Sequence, residues 1–128
     1  MNLKHLLLAL TLATATLANA QTPAIPTTRI LAIGQLTPGT DRATIGPVMH
    51  QEVSDTVRLY LAGKIDQWYF RTDGKGVVFI LNCATVEEAH TLLEKLPLGQ
   101  HHYMEFDLIP MGPLAPLNLL VQEPAPAK

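Results

Sequence analysis

A carboxylate held on the buried face of a helix, away from water, can act as a general base, and Glu52 stands where such a base could sit. It belongs to Arg42–Gly63, where Ile45, Met49, Val53, Thr56, Val57 and Tyr60 recur at spacings of three and four, as on one face of a helix. At 100° per residue Glu52 falls within about 20° of Ile45 and about 40° of Thr56. A carboxylate on that stripe points at the core, where desolvation raises its pKa toward neutrality and suits it to general-base work. The same place also suits a boundary glutamate that snorkels outward or pairs with an arginine.

Four further residues are candidates for binding a substrate. Trp68 shares a strand face with Phe70 and could line a small-molecule pocket or simply fill the core. Arg71, at the end of the same strand, could grip a carboxylate in a bidentate fork, or could pair with Glu105 or Asp107 at a rim. Tyr103 can bind polar substrate atoms, and His102 lies in the connection before it, near where a pocket would open. His101 and His102 are adjacent and would project to opposite strand faces, so they do not form a metal pair. Five scattered histidines with no i,i+4 partner and one cysteine give no metal signature, and no cofactor motif occurs. His50 and His90 border their stripes. Glu105 and Asp107, ~7 Å apart on one strand face, suit acid/base work or salt bridges between subunits. Cys83 reads as a small buried apolar residue near a strand end, although a helix start close by leaves a nucleophilic role open.

The elements that must position these groups can be read in order. Arg29–Leu36 is a continuous apolar run with β-branched residues, a buried strand; Gly34 in it suggests a bulge or a close approach. Arg42–Gly63 is the first helix, with Pro47 moving its expected start toward Gly46 and Gly63 as its stop. Ile65–Arg71 is a strand, Thr72–Gly76 a turn with Asp-Gly at its centre, and Val77–Asn82 a strand apolar on both faces and therefore central. Thr85 caps a second helix in a Thr-x-x-Glu box with Glu88, Val86, Ala89, Leu93 and Leu96 forming its buried stripe, and Pro97 ends it. His101–Pro110 is the last strand. The order βαββαβ is the ferredoxin-like plan: an α+β fold with a four-stranded antiparallel sheet and two helices on one face. The other face, with Leu31, Ile33, Val77 or Val78, and Tyr103, needs a cover, and a second subunit would give a dimeric α/β barrel.

The chain has 128 residues, nine basic and eleven acidic side chains, and a net charge of −2. With no Lys/Arg cluster, nucleic acid is not expected as a partner. Residues 1–20 read as a secretory signal peptide: Lys4 and His5, an apolar run from Leu6 to Leu17, and Ala18-Asn19-Ala20. The run falls short of the ~20 residues that span a bilayer. The expectation is therefore a periplasmic or secreted protein without a stable membrane anchor. Residues 21–28 form a linker, 29–113 the domain, and 114–128 a C-terminal arm and tail whose apolar part, Leu114–Val121, could pack on a neighbouring subunit.

The second half of the chain resembles the muconolactone isomerase family. The resemblance is carried by Thr85-Val86-Glu87-Glu88-Ala89-His90, Leu92-Leu93, Leu96-Pro97-Leu98, and Tyr103-Met104 leading into Phe106-Asp107-Leu108 and Pro110, with Glu52, Gly63 and Trp68 fitting the same pattern. It extends from about Leu31 to Pro113. The resemblance implies a homodimer or higher oligomer of α/β-barrel type and a cofactor-free isomerase that moves a proton on a small lactone or unsaturated acid. Glu52 stands where that family's first helix carries a glutamate. The family's catabolic members work in the cytoplasm, unlike a chain with a leader, and the connection from Leu98 to Tyr103 is longer here. A non-catalytic module that binds a small molecule or assembles in the cell envelope is the alternative.

Overall fold

The computed structural model describes residues 24–115 and residue 117. The expected leader, the first part of the linker and most of the C-terminal arm lie outside the described residues. Strands β1 (Arg29–Leu36), β2 (Ile65–Phe70), β3 (Gly76–Leu81) and β4 (Met104–Met111) form one antiparallel sheet in the order β2-β3-β1-β4. Helices α1 (Arg42–Leu61), α2 (Val86–Glu94) and the short α3 (Pro97–Gln100) complete an α+β fold compatible with a ferredoxin-like arrangement.

The registers show which side chains share a face. Ile30 pairs with Leu81, Ala32 with Phe79 and Leu108, and Gly34 with Val77 and Phe106. Trp68 and Phe70 follow opposite Phe79 and Val77. The core joins Ile30, Ala32, Phe79 and Leu81 to Ala89 and Leu93 of α2, with Leu59 of α1 packed against them, so both long helices cover this face. β3 is central, as its two apolar faces predict. The opposite face carries Leu31, Ile33, Val78 and Ile80, all only half-buried.

Local chemistry accounts for the ends of the helices. The Asp41 carboxylate accepts from both the backbone N–H and the hydroxyl of Thr44, fixing the first turn of α1. The helix therefore starts at Arg42 and runs through Pro47, rather than starting near Gly46. Gly46 has no Cβ for the proline ring to strike, which removes much of the usual bar to helix before proline. At the other end Gly63, at φ 72°, lets its N–H bond to the Tyr60 carbonyl and the Lys64 N–H bond to the Leu59 carbonyl, a Schellman closure.

Thr85 caps α2 by accepting from the Glu88 N–H at 3.1 Å. The Glu88 carboxylate lies 3.4 Å from the Ala84 N–H rather than reaching Thr85, and also meets Lys64. Thr85→Ala should cost about 1 kcal/mol, the usual value of such a cap, read as a lower urea midpoint with an unchanged slope.

Three expectations are corrected. Gly34 makes no bulge; the register runs through it unbroken, and its missing side chain leaves room for Phe106, Met104 and Val77. The bulge in the sheet lies in β2, between Ile65 and Gln67. Pro97 does not simply end a helix: α2 finishes at Glu94, and Pro97 opens α3 as its first residue, where its missing N–H costs nothing. His101 and His102 consequently lie in a turn and not on β4, and His102 takes a left-handed conformation at φ 55°.

Candidate functional site

Between α1 and the helix-covered sheet face lies an open cavity of about 730 Å³. It sits at the end of the sheet where β1 finishes and the β2–β3 hairpin turns. Met49, Val53 and Val57 of α1 form one wall, and Trp68, Val77 and Phe79 of the sheet form the other. Its surface is almost wholly apolar. Among the described residues Glu52 is the one carboxylate in the lining and Arg42 the one cation.

Glu52 projects from the middle of α1 and is 7% exposed. Its Oε2 accepts from the backbone N–H of Leu98 at 2.8 Å. Leu98 is the second residue of α3, so that helix presents an N–H with no acceptor of its own to the carboxylate. Burial pushes the Glu52 carboxyl above the ordinary carboxylate range; the Leu98 bond opposes this, and the charge of Asp55 adds to it. No cation pairs with Glu52 among the described residues. A group so placed is a weak acid when protonated and a stronger base when ionised.

The apolar stripe of α1 is turned slightly from the one the spacing predicts. Glu52 and Thr56 are its buried positions, whereas Val53 and Tyr60 are exposed. The hydroxyl of Thr56 donates to the Glu52 carbonyl, which satisfies it inside the helix. Val53 stays open because it borders the cavity. Trp68 is 38% exposed, stacks on Tyr60 at 4.6 Å between ring centroids, and lines the cavity with the hairpin residues Tyr69 and Phe70.

The structure thus brings Glu52 and Trp68 to one cavity and leaves Arg71, His102 and Tyr103 outside its lining. Arg71 is engaged within its own hairpin by Asp73, not by Glu105 or Asp107. The Tyr103 ring stacks on His101, and its backbone N–H closes α3 onto the Leu98 carbonyl. His102 borders a separate, smaller recess of about 180 Å³ with His90, Glu94 and Glu105. His90 sits beside Glu94 on the surface of α2. Arg42 is the cavity residue that the spacing alone does not single out. Its position in the first turn of α1 carries no motif, and only the packing of α1 against the sheet places it at the cavity.

Cys83 is buried in the core at 2% exposure, and burial together with the nearby Glu88 charge pushes its thiol up, so it is not prepared as a nucleophile. Among the described residues no three His, Cys, Asp or Glu side chains are grouped to hold a metal ion, and no helix is long and apolar enough to cross a membrane. No protein-family model matches the chain, and no curated protein matches it significantly.

Proposed function

We propose that this chain is an exported, self-associating protein of the muconolactone isomerase type that moves a proton on a lactone or unsaturated acid without a cofactor. The observation that supports the reading is the solitary buried carboxylate of Glu52 on the wall of an apolar cavity. In the reaction, ionised Glu52 takes a proton from the carbon next to a carbonyl. The electron pair spreads into a dienolate, and the Glu52 carboxyl, whose proton exchanges with water through the open mouth of the cavity, returns a proton to the far end of the conjugated system. The double bond shifts, and no atom is gained or lost. Trp68 and Phe79 supply the face against which a planar dienolate lies, and the Leu98 N–H holds the carboxyl in place. The test is incorporation of deuterium from heavy water into a panel of butenolide lactones, followed by NMR. Incorporation above the buffer rate supports proton transfer. Its absence across the panel moves the function to binding.

One observation favours a second reading, a non-catalytic carrier. An enolate oxygen needs a donor, and both hydroxyls of the lining are already engaged, Thr56 with the Glu52 carbonyl and Tyr69 with Gln67, which leaves the Trp68 indole N–H and Arg42 as side-chain donors among the described residues. A carrier needs no such donor. It would show ligand-dependent thermal stabilisation without exchange.

Self-association rests on the half-buried Leu31, Ile33, Val78 and Ile80 of the sheet face that no helix among the described residues covers. A second copy laid face to face on it would make the dimeric barrel of the ferredoxin-like plan. Ile33→Asp places a charge at the centre of that face and should weaken the dimer at least about a hundredfold, by leaving a carboxylate buried and unpaired. Sedimentation equilibrium reads the change, and an unchanged oligomer would refute this interface.

A further inference from the structure

Arg42 and the size of the cavity together specify the ligand more narrowly. The chain has four arginines. Arg29 pairs with Asp66, Arg58 with Asp55 and Arg71 with Asp73, whereas Arg42 has no carboxylate partner among the described residues. It stands in the first turn of α1, the positive end of the helix dipole, where a cation is disfavoured. The adjoining Asp41 does not compensate it in a hydrogen-bonded pair, because that carboxylate is taken by Thr44. Arg42 therefore adds nothing evident to the folded chain, yet it lines the cavity.

Glu52 lies ten residues further along the same helix, ~15 Å away by helical rise. Between the two charges the wall is apolar, formed by Ile45 and Met49 on the helix side and Leu36 and Met104 on the sheet side. At about 730 Å³ the cavity falls among sites that enclose ligands of drug size, ~300–1,000 Å³. A single small ring would leave most of that apolar wall wet. A small acid lying near Glu52 would also place two carboxylates together with no cation between them.

We infer that the cavity takes an elongated, apolar monocarboxylic acid, with its carboxylate held by the Arg42 guanidinium at the entrance and its hydrocarbon body lying along α1 toward Glu52. This rests on the cavity being the ligand site, as in the reading above, and not on whether Glu52 performs chemistry. The two ends then have separate tasks. Arg42 selects an acid over its ester or alcohol through a planar two-point grip. The apolar wall selects for length. The separation of the two ends keeps the ligand's charge away from Glu52.

The test is binding of cis-parinaric acid, a long-chain fluorescent polyene acid, and of its methyl ester. Energy transfer from Trp68, the single tryptophan of the chain, reports a probe lodged in the cavity. Wild type should bind the acid at least about tenfold more tightly than the ester. Arg42→Gln should lower affinity for the acid to that for the ester, and Arg42→Lys should recover part of it, since the charge returns without the fork. Arg42 is exposed, so thermal melts of these variants should match wild type. Equal binding of the acid by wild type and a folded Arg42→Gln overturns the anchor but leaves the cavity as a ligand site. Equal binding of acid and ester by wild type does the same. Binding of neither compound by wild type overturns the inference and the cavity reading together. Deuterium exchange into lactones is scored separately, so a protein that binds with this arginine dependence but exchanges nothing keeps the anchor and loses only the catalysis.

Discussion

Glu52→Gln is expected to reduce deuterium exchange by about 10²- to 10⁴-fold, the usual share of a positioned general base, while the protein stays folded. The amide keeps the shape of the side chain, and its oxygen can still accept from the Leu98 N–H. Only the ability to take a proton goes. Stability should respond in the opposite direction. Burial raises the Glu52 carboxyl above its ordinary value of 4.5, so the unfolded chain releases this proton at lower pH than the folded one. The contribution of the neutral carboxyl is complete below about 4.5 and is lost as pH rises through the raised folded value. Wild type should therefore fall in urea midpoint relative to Glu52→Gln across that window, with the variant the more stable of the two above it. Exchange should rise over the same window as the base ionises. A variant that keeps full exchange would remove Glu52 from the mechanism. A difference in stability that does not change with pH would mean that its carboxyl is not desolvated in solution.

Gly76→Ala is expected to be the most damaging conservative change in the sheet. Gly76 opens β3 at φ 147°, a conformation that residues with a Cβ rarely adopt, and it pairs with Gln35 on β1. A Cβ there would overlap the carbonyl oxygen of Gly34, which is backbone and cannot rotate away. The strand must either twist out of that conformation or part from β1. The first costs ~1–3 kcal/mol in backbone strain, and the second loses ladder hydrogen bonds at ~1 kcal/mol each. A cost of about 3 kcal/mol by either route is a large part of the 5–15 kcal/mol typical of a domain. It should lower Tm by ~10 °C or more. Gly76 also lines the cavity, so probe binding should weaken in the same variant. A loss of under ~4 °C in calorimetry would show that the hairpin end of the sheet is looser than the register indicates.

Much of this architecture is readable from residue types because it depends on local rules. The limits of β1, the Asp-Gly hairpin, the Gly63 closure and the Thr85 cap each follow from a few adjacent side chains. Helical period puts Glu52 on the buried stripe but leaves open whether its carboxylate aims inward or snorkels out, which the contact with Leu98 decides. What local rules could not supply depends on contacts distant in sequence. The acceptor for the Leu98 N–H lies 46 residues away, so nothing near Pro97 announces that α3 will form and hold Glu52. Residue types alone place His101–Pro110 on one strand, with Tyr103 inside it. The helical turn at Pro97–Gln100 shifts the start of β4 to Met104 and carries His102 and Tyr103 away from the cavity. Arg71 had a carboxylate two residues on, and the tight hairpin favours that short-range partner over Glu105 or Asp107. Arg42 is visible as a feature only by elimination, once the partners of the other three arginines are known.

The pairing of β1 with β4, from Arg29 opposite Met111 to Leu36 opposite Met104, bears on how the chain is made. β1 is central, yet both of its neighbours come later in synthesis, and β4 comes last. Its hydrogen-bonding edges are thus open until the hairpin strand and then the final strand emerge. Closing loops of such length carries an entropic cost that only the finished pairing offsets, which slows folding relative to a chain of local contacts. A ribosome-bound fragment ending before Met104 should therefore remain unprotected in hydrogen exchange along Arg29–Leu36, and protection there should arrive as the last eight-residue strand is added.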